Sequence, residues 1–272
     1  MTNTMDSFGR RGFLKGLSAG AAAAGLAPFH SAWAVEARLP TPATKLRTIV
    51  VDAGHGGVDP GCIGRTGTYE KDIVLSTAQM LARQLDAGRR FKIFMSRNDD
   101  TFVPLTERVQ RARAHGADLF VSIHADALPE ASMRGASVFT LSEKASDREA
   151  ALVADRENKS DQIAGINFGT QDPVVNDILF DLARRQTNNL SIQLAQQLVA
   201  ELGQQRVPLL RNTHRSAAFA VLKAPDVPSA LVEIGCLSNR DEERALRQVS
   251  YRQSVVAALS RSVNDYFDQS GT

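Results

Sequence analysis

Apolar residues recur at two spacings along the chain, and the alternation between them predicts most of its secondary structure. Short β-rich runs bounded by Gly, Pro or polar residues predict strands at Leu46–Asp52, Phe91–Ser96, Asp118–Ile123, Ala136–Leu141 and Ser229–Val232. Two further short strands are predicted near Val207–Leu210 and Phe219–Leu222. Ile73, Leu75, Ala78, Leu81, Ala82 and Leu85 recur at three-to-four spacing, which predicts a helix opening at Glu70 and ending at Gly88. Thr106–His115 predicts a second helix, with Val109 and Ala112 inward and Gly116 behind it.

From Ser142 to Asn188 the pattern is helical without an intervening strand. A helix is predicted over Asp147–Asn158, then a polar turn with Gly165 and Gly169. Asp172-Pro173 opens another helix, since proline suits the first helical position, and Val175, Ile178, Leu179 and Leu182 line its inner face. Helices at Asn189–Glu201 and Asp241–Phe267 follow. Strands alternating with helices predict an α/β fold: a single domain whose central sheet of about six strands is mostly parallel or mixed, covered by helices on both faces, with an inserted helical segment. The domain is expected over 46–270, with the insertion at 142–188 and a linker at 35–45.

The first 34 residues stand apart. Arg10-Arg11-Gly12-Phe13-Leu14-Lys15 followed by an alanine-rich run and Ala32-Trp33-Ala34 resembles a twin-arginine export signal with its cleavage site, although Gly9 stands where Ser or Thr is usual. Thirteen weakly apolar residues, Leu17–Phe29, are too short to span a membrane. The expectation is export by the Tat pathway to the periplasm, without a stable membrane anchor. Composition then narrows the partners. The 272-residue chain is 43% apolar and 23% charged, as globular proteins are, and removing Arg10, Arg11, Lys15 and Asp6 with the signal takes its formal charge from +2 to zero. Nothing polybasic remains to favour nucleic acid. Cys62 and Cys236 are too few for a disulfide scaffold, and a bridge or two free thiols are both open readings. A monomer is the expected state.

Three predicted strands end on a possible ligand or base: His55 within Gly54-His55-Gly56-Gly57, His124, and Glu233. If the strands are parallel, these side chains emerge along one sheet edge, the usual position of an α/β active site. Glu70 returns to that edge because it starts the helix after the glycine-rich loop. Two imidazoles and a carboxylate with an open position is a catalytic zinc pattern, and a second carboxylate can move a proton, so metal-assisted hydrolysis is the reaction class implied. Taken singly, a glycine-flanked histidine is also a common turn and Glu70 a common helix-start residue. His115 and His214 are read as surface or loop residues.

Asp52-Ala53-Gly54-His55-Gly56-Gly57, Gly61-Cys62-Ile63-Gly64 with Glu70-Lys71, Ser122-Ile123-His124-Ala125-Asp126, and Pro228-Ser229-Ala230-Leu231-Val232-Glu233 together resemble the zinc-dependent N-acetylmuramoyl-L-alanine amidases. The resemblance covers residues 46 to 267, and it is strongest to the periplasmic cell-separation amidases in the form without an additional N-terminal targeting domain. Ala53, Cys62 and Cys236 depart from the usual pattern without removing a ligand. The resemblance implies one catalytic Zn2+ held by His55, Glu70 and His124, and Glu233 as the catalytic carboxylate. The bond cleaved would join N-acetylmuramic acid to L-alanine of the peptidoglycan stem peptide.

On the helix over Asp147–Asn158, Ala150, Val153, Ala154 and Glu157 share one face, with Leu152 off it. Glu157 meeting solvent or an arginine is the plain reading. Arg156-Glu157-Asn158-Lys159-Ser160-Asp161 also resembles the segment by which these amidases block themselves, which implies Glu157 on the metal and an autoinhibitory role for the insertion. The resemblance further implies an activator protein with a degenerate LytM-like domain at the division site, and Val174 and Phe180 are the expected docking face. A zinc carboxypeptidase and a non-catalytic zinc-dependent peptidoglycan-binding protein are the competing readings.

Overall fold

In the computed structural model, residues 46–165 and 178–269 are described, the side chains of 178–183 excepted. Six strands form one sheet in the order β2-β1-β3-β6-β4-β5, with β1 Arg47–Ala53, β2 Phe91–Met95, β3 Leu119–His124, β4 Ala136–Leu141, β5 Leu209–Ala217 and β6 Ser229–Glu233. β2, β1, β3 and β6 run parallel, β4 is antiparallel to β6, and β5 is parallel to β4. The three strands expected to deliver ligands are therefore parallel neighbours, and their carboxyl ends lie side by side.

Successive residues of a strand face opposite sides, which sorts the core into two layers. Ile49, Val51, Val121, Ile123 and Val232 pack on one face against α1 (Glu70–Ala87), α5 (Ile178–Gln204) and α7 (Val249–Gln269). Val50, Phe120, Phe139 and Leu231 pack on the other, with Ala150, Val153 and Ala154 of α3 (Arg148–Glu157) and Phe219. Both faces of the central strands are buried, which is why they read as continuous apolar runs. His124 follows Ile123 and Glu233 follows Val232, so by alternation both side chains leave the sheet on the α3 side. That places Glu157, at the end of α3, over the same spot.

The structure corrects several sequence-based boundaries. The start of the helix expected to open at Asp172-Pro173 lies outside the described residues; from Ile178, α5 runs unbroken through Thr187, Asn188 and Asn189 into the helix expected at Asn189–Glu201, with the Ser191 hydroxyl donating back to Thr187 O. The expected strand at Phe219–Leu222 is a 3-10 turn, Ala220–Leu222, and β5 instead spans the polar stretch Leu209–Ala217. β5 is an edge strand, and a strand packed on one side needs no continuous apolar run. The terminal helix is two, α6 (Arg240–Arg247) and α7, because Gln248 is extended with ψ of 130°. Asn239 caps α6 through Asp241 N and Glu242 N, and the Arg252 guanidinium takes up the freed Leu246 carbonyl. α2 (Leu105–Ala114) and α4 (Ser160–Ile163) complete the fold. His115 and His214 are both exposed, as expected of surface residues; His214 lies in β5, bonded to Thr140 at 3.1 Å, and His115 ends α2 stacked on Phe94. Cys62 and Cys236 are both buried free thiols in opposite core layers.

Candidate metal centre

His55, Glu70, His124 and Glu157 converge, all buried, with one ligand atom from each within 4.8 Å of the others. His55 Nε2 lies 3.1 Å from Glu70 Oε1 and 3.2 Å from Glu157 Oε2. His124 Nδ1 lies 3.3 Å from the first oxygen and 3.0 Å from the second. A tetrahedral ion bound at about 2.0–2.1 Å has ligand atoms about 3.3 Å apart, so these four edges suit zinc. His55 Nε2, His124 Nδ1 and both Glu157 oxygens are buried without a hydrogen-bond partner, as donors reserved for a metal are. Two neutral imidazoles and two carboxylates also balance a divalent charge.

Each ligand is aimed by its surroundings. His55 takes a left-handed backbone, φ 59°, uncommon for a residue with a side chain. Its carbonyl accepts from Arg108 Nη2 at 2.7 Å, and its Nδ1 meets Asp59 Oδ2 at 2.7 Å, which leaves Nε2 turned to the site. Gly54 is obligatory, because a Cβ there would stand 2.4 Å from the His124 ring. Glu70 opens α1 and is pinned by Cys62 N on Oε2 and Ala125 N on Oε1, both at 2.8 Å. Glu233 is the cross-strand partner of His124; its Oε2 accepts from Asp126 N at 2.8 Å, and its buried Oε1 has no partner.

The ionisable groups shift together. Burial disfavours the imidazolium, yet the Glu157 and Glu70 carboxylates push His124 up to about 10, and Glu70 and Glu157 raise His55 well above its usual value. Burial opposes ionisation of Glu157 as well, but His124 and His55 pull it down to about 2. Burial and Asp126 drive Glu233 well above the carboxylate range, an environment in which a carboxyl can hold and return a proton.

Glu157 comes with a set of polar fastenings on neighbouring residues. Arg156 pairs with Asp126 and donates to Ala127 O. Asn158 grips the turn after β5, donating to Ala218 O at 2.9 Å and accepting from Ala220 N at 2.7 Å. Ser160 donates to Asp59, the carboxylate that orients His55, and Asp161 accepts from Leu105 N at the start of α2.

The sequence missed the buried polar frame behind the ligands. Arg108 is 1% exposed and joins Asp52 Oδ1 and the Val103, Ala53 and His55 carbonyls. Arg97 donates to the Ala53 and Gly54 carbonyls. Asp59, four residues after a glycine-flanked histidine, was the one such residue whose spacing offered a signal. Val174 and the Phe180 side chain lie outside the described residues.

Comparison with known proteins agrees with this arrangement. The Amidase_3 family, N-acetylmuramoyl-L-alanine amidase, matches residues 49–265. The chain is 40% identical over 222 residues to N-acetylmuramoyl-L-alanine amidase AmiA of Escherichia coli K12, covering 81% of this chain and 76% of that one. It is 40% identical over 225 residues to AmiC of Escherichia coli O6:H1, covering 82% of this chain and 54% of that one. Among solved structures, an N-acetylmuramoyl-L-alanine amidase from Clostridium difficile 630 superposes with a TM-score of 0.60 at 25% identity, covering 82% of this chain and 97% of that one.

Proposed function

The chain belongs to the N-acetylmuramoyl-L-alanine amidase family, and from that premise we propose that it splits septal peptidoglycan during daughter-cell separation and is held inactive by α3 until an activator binds. The enzyme is a zinc-type amidase acting on the bond between N-acetylmuramic acid and L-alanine. The observation that carries the regulatory reading is that Glu157, on the inserted segment, supplies the fourth donor of the metal set.

His55, Glu70 and His124 are assigned as the permanent ligands. Zinc bound there supplies a Lewis acid for the amide carbonyl and acidifies attacking water. Glu233 is assigned as the catalytic carboxylate. Its partnerless Oε1 accepts the water's proton and returns it to the leaving amine, while Asp126 N holds its other oxygen in place. Glu157, buried among the other three donors, would then keep substrate from a metal held there. An activator need only favour the conformation in which α3 has left, a two-state equilibrium biased by a partner.

A protein with a degenerate LytM-like domain is the proposed activator, docking through Val174 and Phe180, and residues 1–34 are the proposed Tat signal for the periplasm. Replacing Val174 or Phe180 by Glu is expected to abolish activation with zinc content unchanged; activation that survives both changes rejects that face. Mass spectrometry of material released from sacculi tests the reaction itself. Intact stem peptides with a free L-alanine amine are expected. Release of terminal amino acids instead would identify a carboxypeptidase, and retention without any product, even with the insertion opened by Glu157→Ala, a binding protein.

A further inference from the structure

A second feature lies beside the metal centre. A cavity of about 380 Å3 is walled by the loop 66–69, by Asp72 and Ile73 of the first turn of α1, and by Arg247 and Arg252. Arg252 is only 8% exposed. Its Nη1 donates to Leu246 O, its buried Nε has no partner, and among the described residues no carboxylate pairs with it. Burial lowers its pKa, the mark of a cation taken out of water without a counter-charge. Buried arginines are ordinarily paired, so this one is available to an anion from outside the fold.

The cavity continues into a neighbour of about 370 Å3 that shares Thr66 and Arg247 and adds Arg240 and Arg244. These three arginines, at i, i+4 and i+7, follow one face of α6. The acids alongside are largely committed. Glu243 accepts from the Thr66 amide and hydroxyl, and Asp241 faces Arg244 at 3.4 Å. Asp72 is the one carboxylate in the wall of the first cavity, and it is exposed. The wall residue Tyr69 directly precedes Glu70, so the basic groove begins one residue from a metal ligand.

We propose that the groove running from Arg252 along α6 binds the carboxylates of the stem peptide and so anchors the substrate beyond its scissile amide. This rests on the amidase reading. A peptide whose amino end forms the scissile amide carries its free carboxylates further along, and an extended chain covers about 3.3–3.6 Å per residue. Three to five residues would therefore set a terminal charge about 10–18 Å from the reacting carbon, beyond the metal donors themselves, and the groove is lined by Tyr69 and Asp72 on either side of Glu70. A guanidinium held in place by its Nη1 bond to Leu246 O offers a carboxylate directional, charge-assisted hydrogen bonds.

Calorimetric titration of the zinc-loaded protein with the stem peptide tests this, using the free acid and the same peptide with every carboxylate converted to carboxamide. The free acid is expected to bind at least tenfold more tightly, with the difference shrinking as salt rises. Arg252→Gln should erase the preference and Arg252→Lys retain part of it. The exposed Arg247→Gln, which leaves the buried position intact, should reduce it severalfold even if Arg252→Gln folds poorly. Equal binding of acid and amide, no binding of either, or a preference unchanged in Arg247→Gln overturns the proposal. So does inorganic phosphate matching the peptide acid, which would mark a general anion site. Binding does not require turnover, so if the opened variant Glu157→Ala binds the acid but releases nothing from sacculi, the amidase reading alone fails.

Discussion

The edge formed by β1, β3 and β6 and the segment α3–α4 meet at the same four donors, yet they are held in opposite ways. His55, Glu70 and His124 sit at ends of elements buried in the core: buried hydrogen bonds from the backbone, Asp59 and Arg108 fix the first two, and His124 is held in the sheet, its carbonyl accepting from Ile234 N. Glu157 arrives on a ten-residue helix whose buried apolar residues are Ala150, Val153 and Ala154. α1 buries Ile73, Val74, Ala78, Leu81 and Leu85. At roughly 1.5–3 kcal/mol per large apolar side chain and about 0.8 per methylene, α3 is anchored by a few kcal/mol of apolar burial where α1 has several times that. The rest of its hold is polar, and net hydrogen bonds are individually modest, about 0.5–1.5 kcal/mol. Three donors are therefore part of the fold, and the fourth is attached to it.

The comparison breaks most visibly at the permanent edge. His124→Ala should bring zinc content close to zero and hydrolysis down by more than about a thousandfold, since three protein ligands define a catalytic site. Glu233→Gln should leave zinc content unchanged while the rate falls by roughly 10²–10⁴, the range for a lost general base. Elemental analysis beside the hydrolysis assay separates the two, and loss of zinc in Glu233→Gln would contradict its assignment.

Loosening the attached side should do the reverse. Asn158→Ala removes two fastenings of α3, and at about 0.5–1.5 kcal/mol each the open population and the unactivated rate should rise by roughly 5-fold to 160-fold, with zinc retained. An unchanged rate would mean that the turn at Ala218–Ala220 does not hold the helix.

The smallest effect is a proton count. His124, pushed up to about 10 by its carboxylate neighbours, is protonated at neutral pH when metal-free, so zinc must displace that proton. Zinc affinity should rise with pH up to about 10, and calorimetry in buffers of different ionisation enthalpy should show proton release at pH 7. For the metal-free fold the sign is opposite. The raised His124 contributes stability that is complete below about 6.5 and lost as pH rises towards about 10.

How much of this was legible follows from where each signal lives. The strand-end residues were legible because short, nearly continuous apolar runs stop at or just before His55, His124 and Glu233, and the face of α3 because Ala150, Val153, Ala154 and Glu157 recur with helical period. The polar frame was not. Arg108 reaches Asp52 across 56 residues, and nothing in either residue's neighbourhood encodes the pairing. α5 continues through two asparagines because tertiary packing outweighs local propensity. Only the start of β5 was legible, in the strand expected near Val207–Leu210, because an edge strand tolerates Arg, Asn, Thr and His in sequence. Arg252 reads as an ordinary helix arginine, and only its burial and missing partner single it out.

The most direct test is the rate at which the zinc-loaded protein, without any activator, releases stem peptides from purified peptidoglycan, measured beside Glu157→Ala. If Glu157 is the detachable fourth donor, the mutant keeps its zinc and works at least roughly tenfold faster, a shift of about 1.4 kcal/mol or more towards the open state. Equal rates at equal zinc content would contradict the account and leave α3 a structural helix that happens to end at the metal centre.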